Sequence, residues 1–467
     1  MAIIDQREEV SCVLKFELPE NIGSEMTNLT DAVRAENMIE TELFKKFAVK
    51  RGLRDLDGRG VLVGLTKIGE VHSYIVDEGE PIPVPGQLFY RGYDVEELAK
   101  GFLKDDRFGF EETCYLLLFG ELPTPDELAS FNRLLGSCRK LPDLFTKDII
   151  LEHPSRDMMN ALARSVLALY SFDSNPDNTS VPNLLQQCIK LISCFPALAI
   201  YGYQAFSHYH EGKSLVIHSP LPELSTAENI LHMLRPDSKY TRLEATLLDL
   251  ALVLHAEHGG GNNSTFVTHV VTSTGTDTYS AIASALGSLK GPRHGGANIK
   301  VLQMFEDMKT SLTDWEDEEA IINYLNQILN KQAFDKSGLI YGVGHAVYSI
   351  SDPRARIFHD YVKQLAQKKG LSDEYNLYAK VEQLAPEVIA KKATMYKGVS
   401  ANIDFYSGFV YRMLGIPQEL FTPIFAIARI SGWSAHRIEE VVNNGKIIRP
   451  AYKSVAGRRD YIEIGDR

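Results

Sequence analysis

The sequence predicts a mainly α-helical protein with a minor β feature near its N-terminus, on three observations. Apolar residues recur at spacings of three and four in CYLLLF, ELASFNRLL, NALARSVLALY, LLDLALVLHAEH and IINYLNQIL, the signature of amphipathic helices. Alternating strand patterns are confined to GVLVGLTKIGEVHSYIV and GQLFYRGYDVEEL, which read as short strands and turns ahead of the helical body. No repeat period or low-complexity tract is present, which argues against a helical solenoid. With 467 residues, 44% hydrophobic, the chain exceeds what one core usually organises, so two domains are expected.

Taken in chain order, residues 1–41 are polar and weakly patterned and are expected to be an N-terminal extension or arm. The opening MAIIDQREEV is too poor in apolar residues for a secretory h-region and too acidic for an organelle transit peptide. Breakers fall at DSNPDNTSVPN (Asp173 to Asn183), SPLPELS (Ser219 to Ser225) and LRPDSK (Leu234 to Lys239), which predicts exposed connections. Between the first two, LISCFPALAIYGY (Leu191 to Tyr203) is strongly apolar but stops short of a membrane span, and reads as a buried helix.

The formal charge of -12 is spread along the chain, which disfavours non-specific attraction to nucleic acid or an anionic membrane. Cys12, Cys114, Cys138, Cys188 and Cys194 form neither a C-x-x-C pair nor a disulfide framework, so a reducing, cytoplasmic setting is expected.

Chemistry concentrates where histidine meets glycine. Of 13 histidines, five lie between His255 and His345, within glycine-rich segments. HAEHGGGNNST (His255 to Thr265) ends an apolar helix at His258 and follows it with glycines that let backbone approach a ligand. GPRHGGAN (Gly291 to Asn298) sets His294 at a helix start, where the dipole favours neutral imidazole. YGVGHAVYSISDPRARI (Tyr341 to Ile357) presents His345, then Arg354 and Arg356, and NIDFYSG (Asn402 to Gly408) sets Asp404 among aromatic residues.

Each segment also has a plainer reading. A histidine beside glycine is commonly a turn residue, and Asp404 alone is a natural helix cap. H-A-E-H lacks the H-E-x-x-H spacing of a zinc protease, and no Lys-Ser/Thr follows the three glycines as a phosphate loop requires. The joint occurrence carries the signal.

Together these blocks resemble the citrate synthase family, from about Gly52 through YRGYDVEELA and EETCYLLLFGELP to IIRPAY, with HGGGN, GPRHGGAN, GHAVYSISDPRA and NIDFYSG similar to its signature segments. The resemblance implies a homodimer with a large helical domain (42–298 and 413–467) and a smaller mobile helical domain (299–412). It implies a base at Asp404, reacting histidines at His294 and His345, and carboxylate-binding residues at His258, Arg354, Arg429 and Arg449, the last reaching into the partner subunit's site. The implied substrates are oxaloacetate and acetyl-CoA, with coenzyme A entering as a thioester and no metal or redox cofactor. A 2-methylcitrate synthase using propionyl-CoA would carry the same residues. Ser349 stands where many members have a basic residue that meets the CoA phosphates, with Arg293 and Lys336 as possible substitutes. From other classes, a metal-dependent hydrolase would draw on His255, His258 and His269, and a helical binding protein on no reactive group.

Overall fold

The computed structural model describes residues 23–55, 60–77, 80–292, 294–344, 348, 350–392 and 399–466. The chain divides into two compact units, residues 1–63 and residues 64–467. In the first, the described part of the expected arm forms a helix, Gly23–Asn37, followed by a short one, Thr41–Lys46. Leu29, Val33, Met38 and Ile39 are exposed there.

The second unit begins with the predicted β feature. Gly69–Asp77, Glu80–Tyr90 and Tyr93–Asp94 form a three-stranded antiparallel sheet in sequential order, with Gly69 opposite Tyr90 and a register shift between His72 and Tyr74. Alternation turns Leu88 and Tyr90 inward, where both are fully buried. Tyr90 Oη is 2.9 Å from Val253 O and donates there, which fixes the hairpin to the helix Arg242–His255. Gly86 fixes it a second time, donating its N–H to Ser351 O at 3.1 Å. A Cβ at position 86 would lie 2.2 Å from that carbonyl oxygen and 2.4 Å from the Tyr348 ring, so glycine is required by the close approach.

Two buried helices organise the body. Val181–Glu211 contains the apolar segment anticipated from sequence and is long and apolar enough to cross a membrane, yet 83% of its most apolar window is buried inside the protein. Phe421–Val442 is buried without interruption from Phe421 to Arg437, as expected of a helix whose whole circumference is covered. Helices Phe110–Phe119, Arg242–His255, Asn263–Thr272 and Thr278–Lys290 pack around it. Further along, Ala297–Ser311, Glu318–Leu329, Pro353–Lys369, Ser372–Lys392 and Ile403–Met413 pack on one another.

The anticipated connections end at capping residues. The Ser219 to Ser225 loop closes on Ser225, whose side chain accepts from Glu228 N while Glu228 reciprocates, and Thr241 with Glu244 repeats the device after Leu234 to Lys239. The Asp173 to Asn183 loop is largely exposed. It is pinned at one end, because Asp173 Oδ2 accepts from Gln187 Nε2 at 2.9 Å and from Tyr279 Oη at 2.8 Å.

The hairpin contact yields a test. Gly86→Ala forces backbone apart at a carbonyl that adjoins Asp352, so thermal or urea unfolding should show a loss of about 1–3 kcal/mol, the usual cost of overpacking. A variant as stable as the parent would show that the hairpin does not bear on the Ser351 segment.

Candidate active site

The site is built where four segment ends meet. Asp352 caps the helix Pro353–Lys369, accepting from Arg354 N at 3.0 Å, and its carboxylate also binds the Arg354 guanidinium through Nε at 3.0 Å and Nη2 at 2.7 Å. Proline after the cap suits the first helical position, so the SDPR sequence dictates this local geometry. The pair is almost wholly buried, with the side chains 4% and 0% exposed. Burial pulls the Arg354 pKa down, but Asp352 more than reverses it and the group stays charged.

Arg429 lies in the middle of the buried helix Phe421–Val442, with its guanidinium 4.7 Å from the Phe425 ring centroid. Nε donates to His255 O at 2.7 Å, whereas Nη1 and Nη2 are buried without a hydrogen-bond partner among the described residues. Burial lowers its pKa to about 10, against the opposing pull of Glu257. A guanidinium at that value remains a cation at neutral pH, and its two unspent edges demand an anion.

Asp404 opens the helix Ile403–Met413, whose N-cap Asn402 accepts from Asp404 N at 3.0 Å. Asn402 rather than Asp404 therefore serves as the cap, which leaves the Asp404 carboxyl for other work. Burial raises its pKa to about 6, with Arg354 and Arg429 opposing and Asp352 assisting. Asn402 also donates through Nδ2 to Gly344 O at 2.9 Å, and its N–H bonds Gly342 O at 2.9 Å. The GVG segment is thus tied to the Asp404 turn. Gly342 has φ +78°, and a Cβ there would lie 2.7 Å from Val301 and 3.0 Å from Phe405 Cα.

His294 is partly buried, with Nε2 3.1 Å from Ser264 Oγ, and the same hydroxyl accepts from Trp433 Nε1 at 3.1 Å and lies 2.9 Å from Asn262 Oδ1. Burial first, then the Arg429 charge, lowers its pKa to about 4, so the imidazole is neutral. His258 is buried edge-on to Tyr348 with ring centroids 5.6 Å apart, and Arg354 lies 5.9 Å from the same ring.

Of the residues singled out from sequence, His258, His294, Arg354, Asp404 and Arg429 come together around this cluster, linked by the mutual fields of Arg354, Arg429, Asp404 and His294. Arg449 does not join them: it is exposed on the extended tail beyond Phe421–Val442. His345, Arg293 and Ser349 lie outside the described residues. Lys336 is exposed on a turn with φ +57°.

His255, His258 and His269 do not form a ligand set. His255 Nδ1 donates to Ala251 O at 2.8 Å within its own helix, and His269 turns to Glu440 and His436. Sequence reasoning missed Asp352, Asn402, Ser264 and Trp433. Asp352 and Asn402 carried a signal, being cap-type residues at helix starts, whereas Ser264 and Trp433 are 169 positions apart with none.

The carboxyl gives a linkage test. Because the folded pKa of Asp404 is raised to about 6, its protonated form stabilises the protein below the unfolded value, and that stability is lost as pH rises through about 6. Asp404→Asn should therefore be more stable than the parent at pH 8 by about 2–3 kcal/mol, with the gap closing below pH ~4. Chemical denaturation across that range reads it, and a pH-independent gap would show that the carboxyl is not desolvated.

Comparison with known proteins places this geometry in context. A family model described as citrate synthase, C-terminal domain, matches residues 53–451. A citrate synthase of Deinococcus radiodurans is 36% identical over 384 residues, covering 82% of this chain and 93% of that protein. A 2-methylcitrate synthase of Shewanella oneidensis is 32% identical over 384 residues, covering 81% and 90%. Among solved structures, the ternary complex of carboxymethyl coenzyme A and oxaloacetate with citrate synthase from Thermoplasma acidophilum superposes with a TM-score of 0.72 at 28% identity, covering 90% of this chain and 99% of that one.

Proposed function

The chain belongs to the citrate synthase family of condensing acyltransferases, and on that premise we propose that it joins acetyl-CoA to oxaloacetate and hydrolyses the resulting citryl-CoA to citrate and CoA. The observation that carries this reading is a desolvated carboxyl, Asp404, with a pKa of about 6, set in the field of two buried arginines beside a neutral histidine.

The methyl group next to a thioester is a weak carbon acid, so a base succeeds only where the enolate oxygen is stabilised as it forms. Asp404 is the base. His294 supplies the hydrogen bond to the thioester oxygen. Its Nε2 lies 3.1 Å from Ser264 Oγ, and for this role the imidazole proton sits on Nδ1, free for substrate. His345 donates to the ketone oxygen of oxaloacetate and stabilises the alkoxide that carbon–carbon bond formation creates.

Arg429, His258 and Arg354 hold the oxaloacetate carboxylates, with the partner subunit's Arg449 completing the set in a homodimer. The unpaired Nη1 and Nη2 of Arg429 suit a bidentate carboxylate. Arg354 is oriented by Asp352 and presents its remaining donor edge. Closure of a small domain, residues 299–412, on the large one excludes water during condensation and afterwards admits the molecule that hydrolyses the thioester. No step requires a metal or redox cofactor. The buried thiols fit a reducing, cytoplasmic setting: burial raises the pKa of Cys114 and Cys188, and that of Cys194 to about 12.

A thiol-release assay with acetyl-CoA and oxaloacetate tests the assignment. Asp404→Ala should lose at least about a hundredfold in kcat, the lower range for a positioned general base, and the parent's kcat/KM should fall tenfold per unit below pH about 6. Equal rates in the two proteins would remove Asp404 from the mechanism.

The second reading rests on the 2-methylcitrate synthase relative. An extra methylene in the acyl pocket is worth only about 1–3 kcal/mol, so some propionyl-CoA turnover is expected beside acetyl-CoA turnover. Comparing kcat/KM for the two thioesters decides which is preferred, and a strong propionyl preference would reassign the substrate.

A further inference from the structure

A second polar cluster lies behind the HGGG segment. Glu257, the residue before His258, has a fully buried side chain whose Oε1 accepts from Gly259 N. Its Oε1 accepts from His436 Nε2 at 3.1 Å. His436 Nδ1 in turn lies 3.0 Å from His269 Nε2, and His269 Nδ1 donates to Glu440 Oε2 at 2.8 Å. Glu439 completes the group, with Oε1 accepting from Lys67 N at 2.7 Å and Oε2 buried without a hydrogen-bond partner, 3.9 Å from His436 Nδ1.

The tautomers follow from the partners. An ionised carboxylate only accepts, so the ring nitrogen facing each carboxylate carries the proton. In a neutral histidine the other nitrogen is then a bare lone pair. With both rings neutral, His269 Nε2 and His436 Nδ1 face each other at 3.0 Å as two acceptors. A cation between them removes the repulsion.

We propose that His269 Nε2, His436 Nδ1 and Glu439 Oε2 form a binding site for one divalent transition-metal ion of the zinc type. The three donor atoms lie within 4.8 Å of one another, and the two spacings of 3.0 and 3.9 Å bracket the separation of about 3.3 Å between ligands of a tetrahedral zinc. Glu440 and Glu257 hold the far ring nitrogens as the outer carboxylates of metal-bound histidines do, fixing tautomer and ring orientation. Three carboxylates, Glu257, Glu439 and Glu440, gather here. The arginines in their field are Arg91, which acts on Glu257 and Glu439 and donates to Leu117 O, and Arg429, which acts on Glu257. A doubly charged ion offsets the negative excess.

Gly260 covers the site: a Cβ there would lie 3.6 Å from His436 Cε1 and 3.7 Å from His269 Nε2. A zinc ion with two histidines and one carboxylate keeps a fourth position, which a water molecule fills. The role is structural, joining the helices Asn263–Thr272 and Phe421–Val442, and it stands independently of the condensation chemistry.

The full chain, stripped with EDTA and dialysed, is titrated with Zn²⁺ against a chromophoric chelator and, separately, with Co²⁺ followed by visible absorption. One Zn²⁺ per chain, a tetrahedral-type Co²⁺ spectrum and a higher Tm with Zn²⁺ are expected. His269→Gln should abolish that stoichiometric uptake, and Glu440→Gln should weaken it about 10–100-fold while far-UV circular dichroism stays unchanged. Uptake below one ion per chain, as from a shared imidazole–imidazolium proton, would overturn the proposal. So would equal uptake by the parent and both variants.

Discussion

Asp352 and Arg354 share one bidentate, nearly water-free pair, and much of the surrounding structure is arranged to keep it intact. Removing one member would strand a buried charge at a cost of about 3–5 kcal/mol, whereas the pair itself gains little over well-packed apolar residues. Its value is positional. Asp352 also caps Pro353–Lys369 and lies 3.4 Å from Ile403 N, so a single carboxylate sets the relation between the Arg354 helix and the Asp404 helix. The hairpin docks on the neighbouring carbonyl of Ser351 through Gly86. Three segments far apart in sequence thus converge on two consecutive residues.

Such a site tolerates little side-chain bulk where backbones meet. Gly86, Gly342 and Gly432 all lie at approaches that no Cβ could enter without displacement: at position 432 a Cβ would lie 2.5 Å from Ala256 O and 2.5 Å from Glu257 Oε2. Glycine at these approaches therefore answers two needs. Gly342 also supplies a left-handed turn, whereas Gly86 and Gly432 supply only space. Within the signature segments Gly295 and Gly408 meet the same demand, a Cβ there lying 2.4 Å from Leu289 O and 2.8 Å from Asn298 O, whereas Gly261 has open space around it.

Legibility in the sequence followed the range of the interaction. Helix periodicity exposed most of the helical body and the two-stranded pattern exposed the hairpin, because those signals are local. The Ser225 and Thr241 caps were within reach for the same reason. Asp404, His294, Arg354 and Arg429 were singled out through segments resembling a known family, not through periodicity, since a buried arginine in an apolar helix looks like an error to any pattern rule. The Ser264–Trp433 bond and the Glu257–His436 bond, 169 and 179 positions apart, had no local trace. Arg449, expected in a partner subunit's site, stands exposed on the tail beyond the last long helix, and a single chain carries no trace of where it docks.

Phe421–Val442 carries Arg429 and His436 seven positions apart, two turns along one helix face. Glu257 stands against both: it holds His436 directly and raises the Arg429 pKa that burial depresses. A carboxylate that favours a buried guanidinium cannot also be neutralised without cost to that guanidinium, so the state of the His436 cluster and the charge of Arg429 are linked through one residue. Glu257 adjoins His258 in sequence and Gly432 in space, which leaves it little freedom to move away from either partner. Glu257 is thus the residue through which a change in one polar cluster would reach the other.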